Sequence, residues 1–122
     1  MIEGLFTDNL PVIQVAVAWG QAVQTPFVIL DTGFSGDLQV TPATAQGLGL
    51  EVVGVTKSKI ASGQVIDVPV ALAIASMEGA TNDIQVMIAN SLPLAGIGFL
   101  SKFGYKAIVD CKNRTVVLEK AV

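Results

Sequence analysis

Short apolar runs rich in Val, Ile and Leu recur along the chain between Gly, Pro and Asn, a pattern that predicts a mostly antiparallel β protein. "LPVIQVAVAW" and "TPFVIL" bracket "GQAVQ" and predict a first hairpin that delivers the chain to Asp31. In "TPATAQGLGL" the pattern changes. Thr41 suits an N-cap, Pro42 a first helical position, and Gly47 or Gly49 a stop, so one or two helical turns are expected. From Val52 to Ser76 two β-rich runs, "EVVGVTKSKI" and "VIDVPVALAIA", flank "ASGQ" and predict a long hairpin with Ser62 and Gly63 at its tip. "TNDIQVMIA" reads as a further strand and "NSLP" as a turn. "LAGIGFLSKFG" fits a buried segment and then a short helix ending near Gly104, and "YKAIVD" and "TVVLEK" close the chain as a hairpin across "CKNR".

No linker, low-complexity tract or charge block interrupts the 122 residues, so one domain over 1–122 is expected. Hydrophobic residues make up 52% and charged residues 14%, which excludes disorder and leaves apolar surface for burial between subunits. The net charge of −3 gives no basic footprint, so neither nucleic acid nor a membrane surface is an expected partner. With no histidine there is no Ser-His-Asp triad, no Cys-His pair and no histidine-bound zinc. Cys111 stands alone, which excludes an internal disulfide, and it reads as structural rather than reactive. The carboxylates Asp67, Glu78, Asp83 and Asp110 are scattered as surface or turn charges with no calcium-loop spacing, so no metal or other cofactor is expected. "MIEGLF" lacks the basic start and apolar core of a signal peptide, which makes cytoplasmic residence the default. The longest uncharged window, Ile84 to Ser101, is broken by Pro93, Gly96 and Gly98 and reads as strand, turn and strand rather than a membrane helix.

Candidate chemistry concentrates in "VILDTGFSGDLQV", residues 28 to 40. Two readings compete. In the first, Asp31 ends a strand by accepting backbone N–H bonds, Thr32 caps and Gly33 supplies a turn. In the second, the apolar run Phe27 to Leu30 draws Asp31 inward, where a carboxylate must be hydrogen-bonded or paired. Since the chain holds one DTG and no histidine, the most economical partner is Asp31 of a second copy. Two such carboxyls on a two-fold axis would hold one proton between them, one side acting as base toward water while the protonated side polarises a peptide carbonyl.

"ILDTGFSG" resembles the active-site sequence of aspartic proteases, and one DTG in a chain of this size resembles the homodimeric, retropepsin-like branch, particularly prokaryotic members with phenylalanine after DTG. The shared-proton argument above belongs to that class as a whole. The order of features supports the resemblance: apolar strand, DTG, β-hairpin, then an apolar-apolar-Gly segment and a short helix. It covers the chain from about Val12 to Leu118. It implies an all-β, closed barrel-like retropepsin (acid protease) fold with one or two short helices and an active site at a homodimer interface. Asp31 would be the catalytic carboxylate, Thr32 would bond across the dimer axis, and the Gly33 backbone would approach carboxylate and substrate.

The hairpin around Ala61, Ser62 and Gly63 would be the flap over an extended peptide or protein substrate, with Ile60 and Val65 beside it. Phe34 and Asp37 are further substrate-contact candidates, set against a packing role for Phe34 and a solvated turn for Asp37. Leu94, Ala95 and Gly96 would support the active-site loop, with Phe99 to Phe103 as the following helix, and the terminal segments would interleave into an intersubunit sheet. Three positions depart from the pattern: Phe34 replaces a small residue, Gly98 replaces a polar one, and the flap lacks a tyrosine. The expected function is a homodimeric aspartic endopeptidase. The alternatives are a non-catalytic β-barrel module of the same fold for peptide binding or dimerisation, and an unrelated β-barrel with DTG as an ordinary turn.

Overall fold

The computed structural model describes residues 1–59 and 62–122. Its first half holds β1 (Ile2–Glu3), β2 (Leu5–Thr7), β3 (Leu10–Gln14), β4 (Ala16–Trp19), β5 (Ala22–Gln24), β6 (Phe27–Leu30), β7 (Leu38–Val40) and α1 (Pro42–Leu48). The second half holds β8 (Val52–Lys59), β9 (Val65–Met77), β10 (Ala80–Ile88), β11 (Leu94–Ala95), α2 (Ile97–Phe103), β12 (Tyr105–Asp110) and β13 (Thr115–Lys120). Both helices end, and α1 also begins, where local chemistry directs. The Thr41 side chain caps α1 by accepting from Thr44 N at 3.3 Å, Pro42 opens the helix, and Gly49 at φ 69° closes it in the left-handed region. Gly104 closes α2 in the same way at φ 66°.

Ten strands form one sheet in the order β2-β3-β6-β11-β7-β10-β9-β4-β5, with β8 paired to β9. Strands β3 and β4 lie near opposite ends of this order, yet only Val15 separates them in sequence. The sheet must therefore curl, and Val15 N donates to Pro26 O at 3.1 Å one step beyond the Gln14–Phe27 pair of β3 and β6. Ile13, Val17, Val28, Leu38, Val40, Ile84 and Val86 point inside the curl, and Phe99 of α2 fills it with no exposed surface. The two-residue period drives this: along β10, Ile84 and Val86 are buried while Thr81, Asp83 and Gln85 face out.

Two strand pairings are parallel, β6 with β11 and β7 with β10, within an otherwise antiparallel arrangement. Apolar runs declare a strand but not its direction, so this was outside the reach of pattern reading. Strands β1, β13 and β12 make a separate three-stranded sheet. There β1 pairs with β13, Ile2 opposite Leu118 and Glu3 opposite Val117. No helix among the described residues is long and apolar enough to cross a membrane.

Candidate active site

Asp31 sits half-buried immediately after β6, where the chain leaves the sheet. Its position is set from the neighbouring strand: β6 and β11 run parallel with Leu30 opposite Ala95, and Asp31 N donates to Ala95 O at 2.9 Å. Gly33 N donates to Asp31 Oδ1 at 2.9 Å and Phe34 N to Asp31 O at 3.1 Å, which folds DTGF into a tight turn. These are the backbone bonds that the turn reading called for. They also orient the carboxylate and leave Thr32 and Gly33 exposed at the surface.

The loop from Phe34 to Asp37 is clipped to the start of α2 by three backbone bonds: Gly96 N to Asp37 O at 3.0 Å, Ile97 N to Phe34 O at 2.8 Å and Gly98 N to Gly36 O at 3.1 Å. Glycines make this approach possible. A Cβ on Gly96 would collide with the carbonyl oxygens of Phe34 and Gly36, and one on Gly36 would stand 2.5 Å from the Phe34 ring. Phe34 thus packs over both glycines and also borders the cleft beside the loop.

Asp37 adopts neither a solvated turn nor a free cleft carboxylate. It is 8% exposed, and its Oδ2 accepts Lys102 Nζ at 2.6 Å and Gln85 N at 2.9 Å, while Lys102 Nζ also reaches Asp83 O at 3.0 Å. This ion pair ties the loop to α2 and β10. Gly98 is part of the same arrangement, since a Cβ there would strike the Asp37 carboxylate. The support that Gly98 lacks as a side chain is supplied one helical turn later by Lys102.

A cleft of about 420 Å³ opens beside this loop. Gly33 to Asp37 form one wall, Thr56 to Lys59 of β8 the other, and Val70, Gln85 and Met87 the floor. The β8–β9 hairpin that makes the second wall is the expected flap, registered from Val52 opposite Ala71 to Lys59 opposite Val65. Ser62 and Gly63 are exposed at its tip, with Gly63 at φ 86°, and Val65 is exposed at the start of β9; all three lie outside the cleft wall among the described residues. Ile60 and Ala61 lie outside the described residues. Thr56 and Ser58 were missed as wall residues, although the alternation of half-buried Thr56 and Ser58 with exposed Val55 and Lys57 follows the period-two signal.

No family model matches this chain, and no curated protein does. Solved structures do. EIAV protease complexed with the inhibitor HBY-793 superposes with a TM-score of 0.65 at 17% identity, covering 83% of this chain and 94% of that one. A retropepsin-like aspartic protease from Rickettsia conorii superposes with a TM-score of 0.62 at 16% identity, covering 96% of this chain and 87% of that one. The fold is therefore retropepsin-like, and an unrelated barrel is set aside.

Proposed function

We propose that this chain is one half of an aspartic endopeptidase, in which Asp31 from two copies activates water against a peptide bond held between the DTG loops and the β8–β9 hairpins. One observation carries the reading. A carboxylate oriented by Gly33 N leads directly into the loop, Gly33 to Asp37, that walls a cleft opposite a long hairpin, in the fold of aspartic proteases, and the other carboxylate of that loop is already bound to Lys102. A lone carboxylate cannot serve as base and acid at once, whereas two sharing one proton can. The hairpin would add backbone hydrogen bonds to an extended substrate and exclude water.

Digestion of a peptide library by wild type and by Asp31→Asn tests the chemistry. Cleavage is expected from wild type and at least about a hundredfold less from the variant, with unchanged circular dichroism. A well-folded wild type that cleaves nothing between about pH 3 and 8 would remove the catalytic reading and leave a peptide-binding module. Activity should follow a bell in pH whose two limbs belong to the pair, and a single sigmoid would argue against a shared proton.

A further inference from the structure

In the stretch "VPVALAIA" of β9, residues 68 to 75, no side chain carries a polar atom. An antiparallel strand with one face in water alternates apolar with polar, whereas an unbroken apolar run belongs to a strand covered on both faces. The fold covers only one face completely, where Ala71, Ala73, Ala75 and Met77 are buried. The other face starts with Val68 and Val70, both buried, and continues uncovered through Leu72 and Ile74, 44% and 41% exposed. Residues directly opposite one another across two strands share a face. Val70 lies opposite Met87 and Leu72 opposite Gln85, so the uncovered stretch begins beside the three residues that floor the cleft. Ile74 lies opposite Asp83 on one side and Ala18 on the other, and Ala18 lies opposite Val23, which is 65% exposed. Asp83, Ile74, Ala18 and Val23 therefore make one row across β10, β9, β4 and β5, acidic at one end and apolar for the rest. The exposed Asp83 carboxylate has no ion pair among the described residues, and Lys102, which reaches the Asp83 carbonyl, is already paired with Asp37.

We propose that this outer face of β9 and β10 extends the cleft and takes the outlying part of the same polypeptide substrate: an extended segment with apolar side chains on Leu72, Ile74 and Val23 and a lysine or arginine on Asp83. The proposal rests on the reading of the cleft as a peptide site. Continuity selects this occupant, since a chain lying over Val70 and Met87 meets Leu72 next on the same face. From Val70 to Ile74 is about 14 Å along the strand, a span that four or five residues of extended peptide cover. Charge selects the basic residue, because Asp83 is the one charged side chain of its row. Covering Leu72 and Ile74 removes apolar surface from water, and contacts made far from the reacting bond add to what the cleft contributes. The site thus reads a polypeptide over a longer stretch than the cleft alone holds.

A pair of peptides tests the face: a short sequence that wild type cleaves, and the same sequence extended at either end by about six residues alternating valine or leucine with lysine. An extension at one end should raise kcat/KM roughly five- to thirtyfold through KM, and glutamate in place of lysine should cancel most of that gain. Leu72→Ser and Ile74→Ser should abolish the gain and leave kcat and KM for the short peptide unchanged, while Asp83→Asn should erase the preference for lysine over glutamate. Equal cleavage of short and extended peptides by wild type overturns the extended face and leaves the Asp31 reading intact. Equal losses on both peptides in the serine variants would make Leu72 and Ile74 merely structural, and a changed mass by sedimentation would give the face to a second copy; either result overturns the proposal. Should wild type cleave nothing, the Asp31 reading falls, and fluorescence anisotropy of the labelled extended peptide still decides this one. Binding tighter than that of the short peptide and lost in Leu72→Ser supports the face, and equal binding overturns it.

Discussion

At the residue scale, three positions far apart in sequence act as one unit beneath the DTG loop. Asp37 carries a nearly buried charge, and Lys102 reaches it with its terminal amine while its side chain remains 39% exposed. Removing the cation leaves the carboxylate with Gln85 N alone. Lys102→Met should therefore lower stability by about 1–3 kcal/mol, below the range for a fully buried pair because water still reaches the lysine. Asp37→Asn keeps an acceptor for Gln85 N and should lose less; urea midpoints order the two, and equal losses would mean that Lys102 acts through packing. Gly98→Ala tests the same unit from the other side. Its methyl has no room beside the Asp37 carboxylate and the Gly36 backbone, so a loss of about 1–3 kcal/mol is expected. The sequence marked Gly98 as an oddity and Asp37 as a cleft candidate, yet not their connection. Lys102 is separated from Asp37 by 65 residues, and nothing local in "FLSKFG" says which carboxylate that lysine meets.

At the scale of elements, what was legible is what local chemistry decides. The cap at Thr41, the β8–β9 hairpin and the helix ending at Gly104 each follow from residues within a few positions of one another. "FVILDTG" and "NSLPLAGIG" each run an apolar stretch into a glycine, and the strands within them, β6 and β11, lie side by side, the second supplying the carbonyl that accepts Asp31 N. What escaped was the direction of pairing and the closing of β1 onto β13, both settled by contacts between distant segments. A polar link between elements shows the same limit and yields a pH prediction. The Tyr105 hydroxyl at the start of β12 donates to Glu78 in the β9–β10 turn at 2.7 Å, and burial first, then this bond, push its pKa well above the ordinary 10. The unfolded chain releases that proton near pH 10 while the folded one retains it. Stability from this group is thus complete below pH 10 and lost as pH rises beyond it. Urea midpoints from pH 8 to 11.5 should fall more steeply for wild type than for Tyr105→Phe; parallel slopes would remove Tyr105 as the cause.

At the scale of the whole molecule, the proposed dyad would make activity a property of pairs, and pairs have arithmetic that single chains lack. If wild type and Asp31→Asn are unfolded together and refolded as a mixture, copies assort at random, and a mixed dimer holds one ionisable carboxyl at the axis instead of two. Only wild-type pairs can share a proton between carboxyls, so activity should fall as the square of the wild-type fraction. An equal mixture would keep about one quarter of the original rate. A site complete within one chain would keep about one half, because each wild-type copy would work regardless of its neighbour. The measurement needs no knowledge of the natural substrate, only a peptide that wild type cleaves. Its curvature separates a shared site from a private one even if Asp31→Asn is fully inactive, which the single variant alone cannot do. A straight line against composition would dismantle the paired-carboxylate reading while leaving the retropepsin-like fold, the cleft and the Asp37–Lys102 clamp in place.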